Sequence, residues 1–187
     1  MLLETDIPFG YLRVTEILQP FSKLHLLDAK IVANAADRGT RVHKFCTLYA
    51  LNMLIIDVDD DCKGYVDSYK RWHDSMVAKV FMASKRINNA CYRISGEFDL
   101  VVQLKDSEKS VLIDLKTPAS SSPSWQLQTA AYKMLIELDD ASWEIDRRIA
   151  LQLPKDGSQA KVIEYTNHEN DEEKYLKALE LYRFFYG

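Results

Sequence analysis

Cysteine, glycine and proline are all scarce in this chain: 187 residues hold three Cys, six Gly and five Pro. Cys46, Cys62 and Cys91 are widely spaced and form no Cys-x-x-Cys pair, which excludes a zinc ribbon and a disulfide framework and predicts reduced, buried thiols of a cytoplasmic protein. So little glycine and proline excludes collagen-like and low-complexity classes. No long apolar run exists either. The nearest, Tyr49 to Ile56, is interrupted by Asn52 and is too short to cross a bilayer, and Met1 to Asp6 carries early acids without a basic leader, so neither membrane insertion nor export is expected. Excess positive charge is also missing. At a net charge of -4, a polyanionic partner has to be met by a local patch rather than by the whole-molecule field. What remains is a chain with 47% hydrophobic and 28% charged residues, no internal repeat and no linker-like stretch, which predicts one domain over 1–187 with a sizeable core.

After an entry segment with Pro8, Gly10 and Pro20, small or apolar residues recur from Val32 through Cys46 to Met53 at three-and-four spacing, predicting one or two helices that meet near Gly39. Asp57 to Asp61 with Gly64 breaks this pattern. It restarts from Val66 to Phe81, with Trp72, Met76 and Val80 at helical spacing. Tyr92 to Leu104 and Ser110 to Lys116 read as strands of an antiparallel hairpin joined by the polar Lys105 to Lys109, and a serine-rich loop from Pro118 to Pro123 follows. Trp125 to Leu138 is the clearest helix. Arg148 to Leu153 and Ala160 to Thr166 form a second hairpin around Pro154-Lys155-Asp156-Gly157, before a last helix from Glu169 to Phe185. The order predicts an α/β fold with a central mixed sheet flanked by helices.

The chemistry concentrates in Ser95-Gly96-Glu97-Phe98-Asp99 and Ile113-Asp114-Leu115-Lys116-Thr117. Strand alternation turns Ile113 and Leu115 one way and Asp114 and Lys116 the other, where Asp99 of the neighbouring strand can face them. Two carboxylates and a lysine in one place suit a divalent cation, because hard cations prefer oxygen donors. An Asp-Lys ion pair on a solvated sheet face explains the same triplet. Gln128 and Tyr132 stand four apart, hence side by side on a helix, and equally pass for ordinary polar helix positions. His43, behind Gly39-Thr40-Arg41-Val42, reads by itself as a hydrogen-bonded core histidine.

Taken together, Leu12-Arg13-Val14-Thr15-Glu16-Ile17-Leu18, Gly39-Thr40-Arg41-Val42-His43, Gly96-Glu97-Phe98-Asp99, Asp114-Leu115-Lys116 and Gln128-Thr129-Ala130-Ala131-Tyr132 resemble, in order, the motifs of the PD-(D/E)XK nuclease superfamily and its RecB-like, phage-type exonuclease branch. The resemblance spans most of the chain and implies a restriction-endonuclease-like core. It implies that His43, Asp99, Asp114 and the Leu115 carbonyl hold Mg2+ or Mn2+. It further implies that Lys116 positions or deprotonates the attacking water, and that Gln128 and Tyr132 orient substrate or Lys116. A metal-dependent DNA nuclease of DNA end processing or recombination follows, with DNA as partner, a recombination or helicase protein as a compatible second one, and room for an oligomer. The alternative is a catalytically weak DNA-binding scaffold or interaction subunit with the same fold.

Three features depart from the branch's pattern. No glutamate occurs between Glu16 and Glu97, so the usual helix glutamate is missing, and Asp74 is the nearest acid in the preceding helix. No cysteine follows Cys91, which argues against an iron-sulfur cluster. Phe98 stands at the proline of the superfamily's name. Lys63 to Arg93 carries seven basic residues against Asp67 and Asp74, a candidate basic helical face for tracking phosphates or a plain solvated helix, whereas the acids of Glu137 to Asp146 and Glu164 to Glu180 read as solvated surface. Trp72, Trp125 and Trp143 read as core before base-stacking groups.

Overall fold

The computed structural model describes residues 6–22 and 28–187. The elements run β1 (Leu12–Arg13), α1 (Val14–Leu18), a 3-10 turn (Gln19–Phe21), α2 (Ala29–Ala50), α3 (Asp60–Met76), β2 (Val77–Asn89), β3 (Ile94–Leu104), β4 (Ser110–Lys116), α4 (Ser124–Asp139), β5 (Arg147–Gln152), β6 (Lys161–Tyr165) and α5 (His168–Tyr186). The sheet is mixed. β3 pairs antiparallel with β2 and β4, β4 runs parallel to β5, and β5 forms the expected antiparallel hairpin with β6.

β4 lies in the middle because its side chains Val111 to Leu115 are buried on both faces. Val111, Ile113 and Leu115 join Leu100, Val102, Ile149 and Leu151 under α2 and α3, while Leu112 joins Phe98, Val101 and Ile94 under α4 and α5. Each such aliphatic side chain contributes about 1.5–3 kcal/mol on full burial. Trp72 and Trp125 are core residues, and Trp143 packs edge-on against Phe81 at 5.6 Å.

The structure corrects several expectations. Of the one or two helices expected, α2 is one unbroken helix, so Gly39 lies inside it and marks no junction; the Asp28 carboxylate caps its start, accepting from the Lys30 and Ile31 amides. Gly64 is no breaker: it sits in α3, where a Cβ would collide with the Lys155 carbonyl of the β5–β6 turn. α3 ends at Met76, and the chain continues as the thirteen-residue strand β2. The helical spacing of Trp72, Met76 and Val80 runs across that boundary, and β2 is largely half-buried or exposed, so its sequence lacks the strict alternation that marks a strand. The basic run is therefore no single helical face: Lys63, Lys70 and Arg71 lie on α3, Lys79, Lys85 and Arg86 on β2. Cys46 and Cys62 are buried, but Cys91 is exposed in the β2–β3 turn. Among the described residues no helix is long and apolar enough to cross a membrane.

Candidate active site

The site forms where the sheet splits. One edge of β3 is paired along its length by β2; the other is shared, with Ile94 and Ser95 bonded to β1 and Leu100 to Gln103 bonded to β4. Gly96 to Asp99 lie between these two partners. The alternation of β3 also inverts there: Ile94 and Phe98 face α4, yet Leu100 and Val102 face α2 and α3. Asp99 sits at the inversion, and its Oδ2 accepts from the Leu115 amide at 2.7 Å, standing in for a ladder partner. Gly96 lets the strand approach α4 closely, since a Cβ there would meet Leu135 at 2.5 Å and the Tyr132 ring at 3.1 Å.

α2 brings His43 over the split, its Nδ1 2.7 Å from Asp99 Oδ1. Asp114 and Lys116 leave β4 on the α4 side, with Lys116 Nζ 2.6 Å from Asp114 Oδ2. That contact is one of charge without hydrogen-bond alignment, and Asp114 Oδ2 is left buried without a hydrogen-bond partner. The Lys116 ammonium donates instead to Gln128 Oε1 at 2.8 Å, and Gln128 Nε2 donates to the Tyr132 hydroxyl at 2.9 Å. It also lies 5.7 Å from the centre of the Trp125 ring, a cation-π contact with no separate signal in the sequence. The Lys116 carbonyl accepts from the Leu153 amide on the β5 side. Strand alternation therefore turns the Leu115 carbonyl to the opposite edge, beside Asp99.

The electrostatics are unbalanced. Burial alone would raise Asp99, but the charge and hydrogen bond of His43, with the Leu115 amide, hold its carboxyl below the usual range. Burial pushes Asp114 up, Asp99 adds repulsion, and Lys116 only partly opposes them. For His43 burial works against the proton, yet Asp99 and then Asp114 outweigh it and raise the imidazole. Burial and Asp114 push the Tyr132 phenol well up, so it is neutral. His43, Asp99, Asp114, Gln128 and Tyr132 all line one cavity of about 650 Å³ between α2 and the split sheet.

Two other acidic groups stay apart. Asp74 accepts from the Tyr49 hydroxyl at 2.7 Å on the outside of α3, so it does not replace the missing helix glutamate. Glu97 lines the cavity but is ion-paired with Arg86 and accepts from the Ser84 hydroxyl at 3.1 Å. Among the described residues, the one trio of donor atoms within 4.8 Å of one another is that of Asp59, Asp61 and Cys62. Arg41 fills that position, 2.6 Å from Asp59, 2.9 Å from Asp61 and 3.4 Å from the Cys62 sulfur, so its guanidinium already supplies the counter-charge.

No known family profile matches the sequence, and no curated protein matches it significantly. Solved structures do. A protein from Eubacterium rectale assigned as an exonuclease aligns over 91% of this chain and 77% of its own, with a TM-score of 0.54 at 10% identity. An alkaline exonuclease from Laribacter hongkongensis aligns over 94% of this chain and 91% of its own, with a TM-score of 0.44 at 12% identity. The first likeness shows the fold: the mixed sheet flanked by helices is one this chain shares with a protein described as an exonuclease.

Proposed function

We propose that residues 1–187 act as a single nuclease domain, a divalent-metal-dependent deoxyribonuclease of the exonuclease kind that hydrolyses phosphodiester bonds in DNA end processing or recombination in the cytoplasm. One observation carries this reading. Asp114 is buried and Asp99 half-buried at the split of the sheet, Asp114 Oδ2 lacks a hydrogen-bond partner, and both residues line a cavity. A buried carboxylate with a second one near enough to repel it is costly unless additional positive charge meets the pair.

The donor set fits Mg2+ or Mn2+: carboxylate and carbonyl oxygens from Asp99, Asp114 and Leu115, and the imidazole of His43, which favours Mn2+ of the two. Bound there, such a cation supplies Lewis-acid stabilisation of phosphoryl charge and lowers the pKa of water. The protein's own groups do the rest. Asp99 also fixes the orientation of the His43 imidazole through Nδ1, 2.7 Å away. Lys116, fixed by Gln128 and in turn by Tyr132, holds its ammonium where it can orient a water or offset charge on a phosphate. Trp125 and the apolar side of α4 keep bulk water from the lysine, which strengthens its field.

The test is incubation of purified protein with end-labelled linear and closed circular DNA in Mg2+, Mn2+ or EDTA. Degradation of linear DNA in either metal, none in EDTA, and survival of the circle is the expected result. Nicking of the circle would make the enzyme an endonuclease, and intact DNA in every condition would leave a binding scaffold.

A further inference from the structure

A second set of polar groups lines the same cavity beyond the carboxylates. Ser95, which lines the cavity, is 1% exposed, yet its hydroxyl has no hydrogen-bond partner. Across the sheet its register neighbour is Arg13 of β1, and two residues along β3 Glu97 faces Arg86 of β2. Arg13, Ser95, Glu97 and Arg86 therefore lie next to one another on the floor that leads to Asp99, and all four line the cavity. No carboxylate of the described residues pairs with the Arg13 guanidinium. Arg86 is held by Glu97, and Glu97 by Ser84, whose φ of 45° is a left-handed conformation inside a strand. Such strain in a non-glycine residue persists only where its surroundings impose it, and here it places a hydroxyl on the one acid that restrains Arg86.

Resting on the reading of the cavity as a nuclease site, we infer that Arg13, Arg86 and the Ser95 hydroxyl form a second anion subsite, which takes an internal phosphate of the nucleic-acid strand lying in the cavity, with Glu97 occupying Arg86 until the strand arrives. Guanidinium forks match phosphate oxygens in bidentate geometry, and a buried hydroxyl without a partner is a preformed donor for the same group. Glu97 is the competitor: its carboxylate offers Arg86 the same two-oxygen geometry with less charge. The subsite holds the strand on the sheet floor while the neighbouring phosphate lies at Asp99 and Asp114.

The test is binding without cleavage: fluorescence anisotropy of a labelled single-stranded oligonucleotide without terminal phosphates, in EDTA, across a salt series, with thermal melts as folding controls. Each phosphate contact to a single strand contributes about 0.7 to the slope of log affinity against log salt. Arg86→Gln and Arg13→Gln should each weaken binding and flatten that slope by about 0.7. Arg86→Lys should keep the slope and lose affinity, because charge is retained and the fork is lost. Glu97→Gln should tighten binding, and the double variant Arg86→Gln/Glu97→Gln should match Arg86→Gln alone, since Glu97 acts through Arg86. Ser95→Ala should weaken binding with the slope unchanged. Equal slopes for wild type, Arg86→Gln and Glu97→Gln overturn the subsite, as does a response seen only when the oligonucleotide carries a terminal phosphate. Cleavage with Arg86-independent binding removes this inference alone, whereas Arg86-dependent binding without cleavage removes the nuclease reading alone.

Discussion

Two ionic clusters lie beneath the helices, on either side of α4. In one, Arg148 of β5 meets Asp171 of α5 at 2.6 Å with both side chains fully buried. Every direction is filled: Arg148 also donates to His168 Nδ1 at 2.8 Å and to the Gln126 carbonyl at 3.0 Å, and Asp171 accepts from Gln126 Nε2 at 2.5 Å. One cation meets one anion, and neither lines the cavity beside Asp99. The other cluster sets Asp99 and Asp114 against Lys116 and His43, leaves Asp114 Oδ2 without a hydrogen bond, and opens on a cavity. Burial of charge is common to both. An unsatisfied carboxylate oxygen and access to a cavity distinguish a site from a staple.

That contrast breaks most sharply at Asp114. Its ionised form is disfavoured by burial and by Asp99, so replacing it with the neutral isostere Asp114→Asn relieves the fold rather than loading it. The expected outcome is a melting temperature in EDTA equal to or above wild type, together with a loss of cleavage on the order of 10^4-fold, about 5.5 kcal/mol of barrier. Metal titrations should show weakened Mn2+ binding. A variant that melts well below wild type while its folded fraction cleaves normally would make Asp114 a structural partner of Lys116.

The converse substitution lies in the staple. Arg148→Met strands a fully buried Asp171 carboxylate and should cost about 3–5 kcal/mol in urea unfolding, with cleavage per folded molecule unchanged. Arg148→Met/Asp171→Leu should recover most of that loss, because no uncompensated charge remains. A single variant within 1 kcal/mol of wild type, by the same estimate, would reduce this pair to the worth of a surface ion pair.

The clusters also differed in how far the sequence exposed them. Asp114 and Lys116 were legible because a buried strand forces period-two alternation, and β4 occupies the expected Ser110–Lys116. Gln128 and Tyr132 followed from helical spacing. The staple was not legible: Arg148 draws partners from positions 126, 168 and 171, and Asp171 sits in an acidic stretch that otherwise reads as solvated surface. Asp99 lies between these cases. Its strand was evident, but the inversion of faces at that residue, which turns it toward His43, depends on β1 and β4 sharing one edge of β3. β2 escaped for want of burial, and with it the pairing of Arg86 to Glu97.

The smallest effect compares the two histidines, whose environments act with opposite signs. His43 is raised by its carboxylates, so its share of stability is present below 6.5 and is lost as pH rises through its folded value. His168 is lowered, first by burial and then by the adjacent Arg148 charge. The Arg148 Nε–H donates to His168 Nδ1, which requires that nitrogen to be unprotonated. The unfolded chain therefore binds the proton more readily, and stability falls as pH drops from 6.5 toward the lowered folded value. His168→Asn keeps an acceptor oxygen near the Nδ1 position and removes the titration. Melting temperatures of wild type and His168→Asn in EDTA should diverge least above neutral pH, with the wild type losing more on acidification below 6.5. Part of the acid-side loss remains in the variant, since burial also lowers His73. Parallel curves for the two proteins would mean that His168 takes no part in holding Arg148, and that the staple closes through Asp171 and Gln126 alone.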